Sequence, residues 1–151
     1  MSKRFGLLTE YQVRVLKLRS KGLSLRRVAS ILNTSHQNIA LTEKRALENV
    51  KIAEQTILTY KLVTSPIKLV LSKGMKLIDI PRLIIEEADR VGIKVKADFT
   101  LIFKLLRFKA GVCIRVNRIE RPILIIVDKN GYVDVYPYHE VQEVFNDIEK
   151  I

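Results

Sequence analysis

The chain is poor in the residues that build cross-links and reactive centres. It has one cysteine, Cys113, so no intrachain disulfide can form, which agrees with a reducing cytosol. Cys113 sits in an apolar run and reads as a buried, inert thiol. There are two histidines, His36 and His139, and with a single cysteine they give no zinc-like spacing. His139, at the start of a helix, reads as a surface residue. The six glycines are scattered, which excludes a phosphate-binding P-loop and a dinucleotide fingerprint. Glu86, Glu87 and Asp89 lie close in sequence but diverge around one helix, so they form a solvated acidic face rather than a carboxylate pair. No catalytic residue, metal or cofactor is expected from this composition. No apolar run approaches the roughly 18 residues that span a bilayer. The opening Met-Ser-Lys-Arg-Phe-Gly has no signal-peptide stretch. The expected location is cytoplasmic, without a membrane partner.

What is abundant is apolar material and positive charge. Of 151 residues, 48% are hydrophobic, enough for one medium domain or two small ones with packed cores. The net charge is +11, which suits a polyanionic partner through counterion release. The excess is uneven. Residues 1–62 hold 12 Lys and Arg against 4 Asp and Glu, whereas residues 63–151 hold 15 against 12.

The basic part reads as a helix-turn-helix. Thr9 is a good N-cap, Gln12 completes a capping box, and Leu8 and Val13 are placed for a hydrophobic staple. Gly22 suits the left-handed residue that closes a helix. Ser24 caps the next helix, in which Leu25, Val28, Ala29 and Leu32 form one apolar stripe. Asn33 stands at the turn, where it tolerates positive φ. Thr34 or Ser35 caps a third helix. No proline or glycine follows until past Leu62, so this helix runs long. Val50, Ala53, Ile57 and Tyr60 form a short heptad-like seam along it. The seam serves either packing within the chain or a dimer contact.

Ser65-Pro66 breaks that pattern and sets the expected boundary, with residues 1–62 as the helix-turn-helix domain and 63–151 as a second domain. The second domain reads as strand 67–71, helix 80–91, strand 93–96 and a helix from Asp98 to about residue 109. Strands 113–119 and 122–128 follow. Asn130-Gly131 reads as a two-residue hairpin turn into strand 132–136, before a last amphipathic helix at about 138–150. The expected fold is α+β overall: an all-α helix-turn-helix with a long third helix, then a small α/β domain with a mixed sheet.

In a helix-turn-helix the start of the recognition helix meets base edges. The base-reading candidates are Ser35, His36, Gln37, Asn38 and Leu41. Gln and Asn can pair with adenine, and an apolar side chain can touch a thymine methyl. Several have structural alternatives: Gln37 could complete a capping box with Thr34, Asn38 could be a packing or turn-stabilising residue, and Leu41 could be buried. His36 has the fewest structural duties. Ile39 and Ala46 should point inward. Arg26 and Arg27 sit in a first helical turn, where the helix dipole disfavours them. A phosphate there would remove that conflict. Lys44 and Arg45 are further phosphate candidates.

Leu8-Thr-Glu-Tyr-Gln12, Gly22-Leu-Ser24, Val28-Ala-Ser-Ile-Leu32 and the run from Asn38 to Ala46 resemble the archaeal Tfx-type DNA-binding proteins. So do Asp79-Ile-Pro81 and Gly92-Ile-Lys-Val-Lys96. These proteins join a helix-turn-helix, similar to sigma-factor region 4 and LuxR-type domains, to a small α/β domain. Asn33 replaces the more usual turn glycine. The resemblance implies a transcription regulator whose recognition helix matches residues 35–44. The reading is therefore a sequence-specific regulator of double-stranded DNA that enters the major groove as a homodimer. The second domain would dimerise it or sense a small-molecule effector. The alternative is a helix-turn-helix used as a protein-docking module in a transcription-associated assembly.

Overall fold

Local capping chemistry sets the first helices. In the computed structural model, which describes residues 3–151, Thr9 caps α1 (Glu10–Ser20): the Gln12 N–H donates to the Thr9 hydroxyl and the Gln12 side chain accepts from the Thr9 N–H. Gly22 takes φ 83° beyond α1, and Ser24 caps α2 (Leu25–Ile31) by accepting from the Arg27 N–H. Asn33 adopts φ 52°, and the Thr34 N–H donates back to the Ala29 carbonyl, closing α2 in a left-handed C-cap. α3 then runs from His36 to Thr64 and stops just before Pro66. One element escaped the sequence reading: a short antiparallel ribbon of β1 (Arg4–Phe5) and β2 (Leu8–Thr9) precedes α1. The Asn49 side chain donates to the Leu7 carbonyl and ties that ribbon to α3.

Among the described residues, those up to Ile57 and those from Leu58 onward form two compact units. The first is built on Val15, Val28, Ala29 and Ile39, with Leu18, Leu25 and Leu32 packed around them. The apolar stripe expected on α2 thus faces this core. α3 begins in the first unit and ends in the second, where Leu58 and Leu62 join a core of their own.

The second unit is arranged around a three-stranded sheet in the order β3 (Ile67–Leu71), β6 (Ile123–Val127), β7 (Val133–Pro137). Every pairing is antiparallel, which corrects the expected mixed sheet. Interleaved strands and helices suggested parallel crossovers, but residues 72–122 return the chain antiparallel to β3. β6 is central and buried on both faces, hence its unbroken Ile-Leu-Ile-Ile-Val run. Ile123, Ile125 and Val127 face α4 (Ile80–Arg90) and α5 (Phe99–Ala110). Leu124 and Ile126 face Leu58 and Leu62 of α3 and the apolar stripe of α6 (Tyr138–Glu149).

Three further local expectations are revised. Residues 93–96 form no strand; their backbone link to the hairpin loop is Lys96 N–H to Gly131 O. Residues 113–119 are not one strand. A 3₁₀ turn (Gly111–Cys113) leads into a tight hairpin of β4 (Ile114–Arg115) and β5 (Arg118–Ile119), turned at Val116 with φ 56°. The loop between β6 and β7 is longer than two residues. Asp128 pairs with Tyr132, and Gly131 alone is left-handed at φ 88°, so a type I turn and a left-handed glycine replace the mirror-image turn. Cys113 is fully buried, and burial raises its thiol pKa, as an inert core cysteine requires.

An ionic node holds the second unit together. The Asp134 carboxylate on β7 accepts from Lys61 Nζ of α3 at 3.0 Å, Lys109 Nζ of α5 at 2.6 Å and the Tyr136 hydroxyl at 2.6 Å. Burial, the largest single influence, disfavours its charge. The Lys109, Tyr136 and Lys61 donors together outweigh burial and hold its pKa down at about 2. Burial and the bond to Asp134 push the Tyr136 hydroxyl up. A depressed carboxylate pKa stabilises the fold above the unfolded value near 4, and that contribution disappears as pH falls from about 4 to 2. We expect Asp134→Asn to cost about 2 kcal/mol at neutral pH and to remove most of the stability loss between pH 4 and 2. Urea unfolding followed by circular dichroism across that range checks this. Parallel wild-type and variant profiles would show that the node adds no net stability.

Candidate nucleic-acid interface

The start of α3 is organised by its own polar residues. Ser35 is the N-cap, accepting from the Asn38 N–H at 3.1 Å. The Asn38 side-chain amide donates to the Thr34 hydroxyl at 2.9 Å. Ser35 and Asn38 are thus committed to the helix start, while no capping box joins Gln37 to Thr34. Ile39 and Ala46, seven residues apart, are fully buried and fix the rotation of the helix. At about 100° per residue, Gln37, Leu41 and Lys44 then point nearly opposite that stripe. Gln37 and Lys44 are exposed, and Leu41 is 44% exposed, so it is not a core residue. His36 is half-buried and lies only about 60° around the helix from Ile39. Neither His36 nor Gln37 has a side-chain hydrogen bond among the described residues.

Four cations lie exposed on α2 and α3. Arg26 and Arg27 are exposed in the first turn of α2, and Lys44 and Arg45 are exposed on α3. None of the four forms an ion pair among the described residues. Arg19 behaves differently. Its Nε donates to Glu43 Oε2 at 2.6 Å and its Nη1 to the Leu23 carbonyl at 2.8 Å. It therefore clasps α1, the entry to α2 and α3 into one piece. Residues 24 apart carry no mutual signal in sequence, and this clasp was not foreseen. It separates a structural arginine from the unpaired ones.

The three helices thus present a polar helix start together with four exposed cations that form no ion pair among the described residues. The family model described as "DNA_binding protein, TFX, C-term" matches residues 53–135. The chain belongs to the Tfx family. Its relatives include "DNA-binding protein Tfx" of Methanothermobacter marburgensis, 32% identical over 135 residues, which cover 89% of this chain and 97% of that protein. A "Putative transcriptional regulatory protein" of Methanocaldococcus jannaschii is 37% identical over 130 residues, covering 86% of this chain and 95% of that one. Another of that description, from Pyrococcus furiosus, is 31% identical over 140 residues, covering 93% and 97%. The Tfx model begins within α3 and ends in β7, so it takes in the sheet, α4 and α5. The outward face of α3 lies ahead of that match. Tfx is a family of DNA-binding proteins rather than of enzymes. No helix among the described residues is long and apolar enough to cross a membrane.

Proposed function

We propose that the chain is a sequence-specific regulator of transcription that binds double-stranded DNA with the start of α3 in the major groove. The observation that carries this reading is the set of four exposed cations on α2 and α3 that form no ion pair among the described residues. Arg26, Arg27, Lys44 and Arg45 would meet phosphates and set position and affinity. Gln37 and Leu41 face outward, where a base edge and a thymine methyl would lie. His36 flanks them. Ser35 and Asn38 contribute first by holding the helix start, and to bases only through the atoms that remain. A homodimer would place two such helices on two half-sites. In support, Ile57 and Tyr60 of the α3 seam are 56% and 66% exposed, which leaves apolar surface for a second copy.

The test is a salt series of fluorescence-anisotropy titrations with a duplex chosen by binding-site selection. Each lost phosphate contact lowers the slope of log K against log salt by about 0.9. Arg26→Ala/Arg27→Ala should therefore lower the slope by about 2 and weaken binding about thirtyfold near 0.15 M salt. Gln37→Ala and His36→Ala should instead change the ranking of sites. An unchanged slope in the double variant would overturn the phosphate assignment, and uniform weakening across sequences would overturn the base-reading one. Salt-insensitive failure of the wild type to retain any duplex would favour a protein-docking role.

A further inference from the structure

The second unit carries a cavity that the DNA reading does not use. Its volume is about 650 Å³, inside the range of roughly 300–1,000 Å³ typical of small-molecule sites. Lys76, Arg107 and Arg118 supply its charge, and Ile78 and Phe103 supply apolar wall. No Asp or Glu lines it. The walls are fixed by hydrogen bonds and by packing. Gly74 N–H donates to Ile119 O at 2.7 Å, Ile119 N–H to Met75 O at 2.9 Å and Leu77 N–H to Asn117 O at 2.9 Å. The chain before α4 is thereby laced to the β4–β5 hairpin. Phe103 and Arg107 are one turn apart on α5, which is anchored by the fully buried Ile102 and Leu106.

The three cations are uncompensated. None forms an ion pair among the described residues. Arg118 Nη1 is held by the Gly74 carbonyl at 3.0 Å, and Arg107 Nη2 reaches the Val116 carbonyl only at 3.5 Å. Backbone carbonyls thus orient the guanidinium groups without neutralising them. Val116, which turns the hairpin towards Asn117 and Arg118, holds a left-handed φ that a β-branched residue disfavours. Ile78 is 72% exposed beside these charges, an apolar side chain largely open to solvent.

Convergent like charges repel one another until an anion joins them, and an adjoining apolar wall adds affinity only for a ligand with an apolar part. We propose that this cavity binds a small organic anion. A carboxylate or phosphate head meets Lys76, Arg107 and Arg118, and a short apolar body lies on Ile78 and Phe103. A duplex backbone offers the head group but no apolar body for that wall.

The inference stands apart from the DNA reading, because it is tested without DNA first. The full chain is titrated with the fluorescent anion 8-anilinonaphthalene-1-sulfonate, and thermal melts confirm that every variant is folded. One saturable site is expected. Decanoate should displace the probe, with decanol and inorganic phosphate each at least about tenfold weaker. Arg107→Gln/Arg118→Gln should weaken the probe about tenfold, while Arg82→Gln/Lys129→Gln, which removes equal charge elsewhere, should not. Ile78→Ser, at an exposed position that the fold does not need, should also weaken it. Equal effects from the two charge variants would overturn the proposal, as would decanol or phosphate matching decanoate. If duplex DNA displaced the probe and Arg107→Gln/Arg118→Gln weakened duplex binding equally, the cavity would be a DNA phosphate contact and the proposal would fail.

Discussion

Replacing Ile39 with Ala should cost about 2–4 kcal/mol and abolish retention of duplex DNA, although Ile39 touches no DNA in the proposed complex. Ile39 is fully buried, and the core it completes has only three other buried members, Val15, Val28 and Ala29. A unit of under 60 residues has little spare stability, so losing several buried methyl and methylene groups consumes much of it. The proposed recognition surface depends on that core, because Ile39 and Ala46 set which way Gln37, Leu41 and Lys44 point. Leu41→Ala is the matched control. It removes a similar side chain two residues away, but from a position 44% exposed, so stability should change by no more than about 0.5 kcal/mol. Amide hydrogen exchange in residues 10–50 would resolve the difference. Comparable protection in Ile39→Ala and wild type would mean that the frame does not rest on this residue.

The first unit was legible in sequence because each of its joints is made by neighbouring residues. Thr9 with Gln12, Ser24 with Arg27, and Asn33 with its positive φ are all short-range devices, and short-range chemistry is what a single sequence displays. The second unit depends on long-range partners, and there the reading thinned. Residues 93–96 alternate apolar and charged, and Ile93 and Val95 do pack on the core. The period of two reports a half-buried extended chain, not whether another strand pairs with it. Val116 turns a hairpin from a left-handed conformation, the last place where a β-branched residue is expected, so nothing marked the break between β4 and β5. Strand direction is equally invisible in a hydrophobicity pattern, hence the mixed sheet. At the candidate interface the same division holds. The tie of Asn38 to Thr34, four residues apart, was foreseeable as a structural alternative, whereas the Arg19–Glu43 clasp and the Asp134 node were not.

Gly131→Ala should destabilise the second unit by about 3 kcal/mol, more than any surface-loop substitution ordinarily does. Two costs combine. Gly131 holds φ 88°, which an alanine adopts only with strain of about 1–2 kcal/mol. A Cβ there would also collide with the Lys94 carbonyl oxygen, a backbone atom that cannot rotate aside. That carbonyl belongs to the segment whose Lys96 N–H donates to Gly131 O at 2.9 Å, so relieving the clash means lifting the segment and breaking the bond. Ile93 and Val95 would then leave the core face they help to cover. Asn130→Ala separates this from a simple turn defect. Asn130 has no positive φ and contributes only its backbone N–H to Asp128, so its replacement should cost under about 1 kcal/mol. Urea midpoints give the comparison, and exchange of the Lys96 amide gives the mechanism: it should lose protection in Gly131→Ala and keep it in Asn130→Ala. Equal midpoints for the two variants would mean that the approach of Lys94 to Gly131 is not a structural constraint, and that the hairpin turn alone accounts for the glycine.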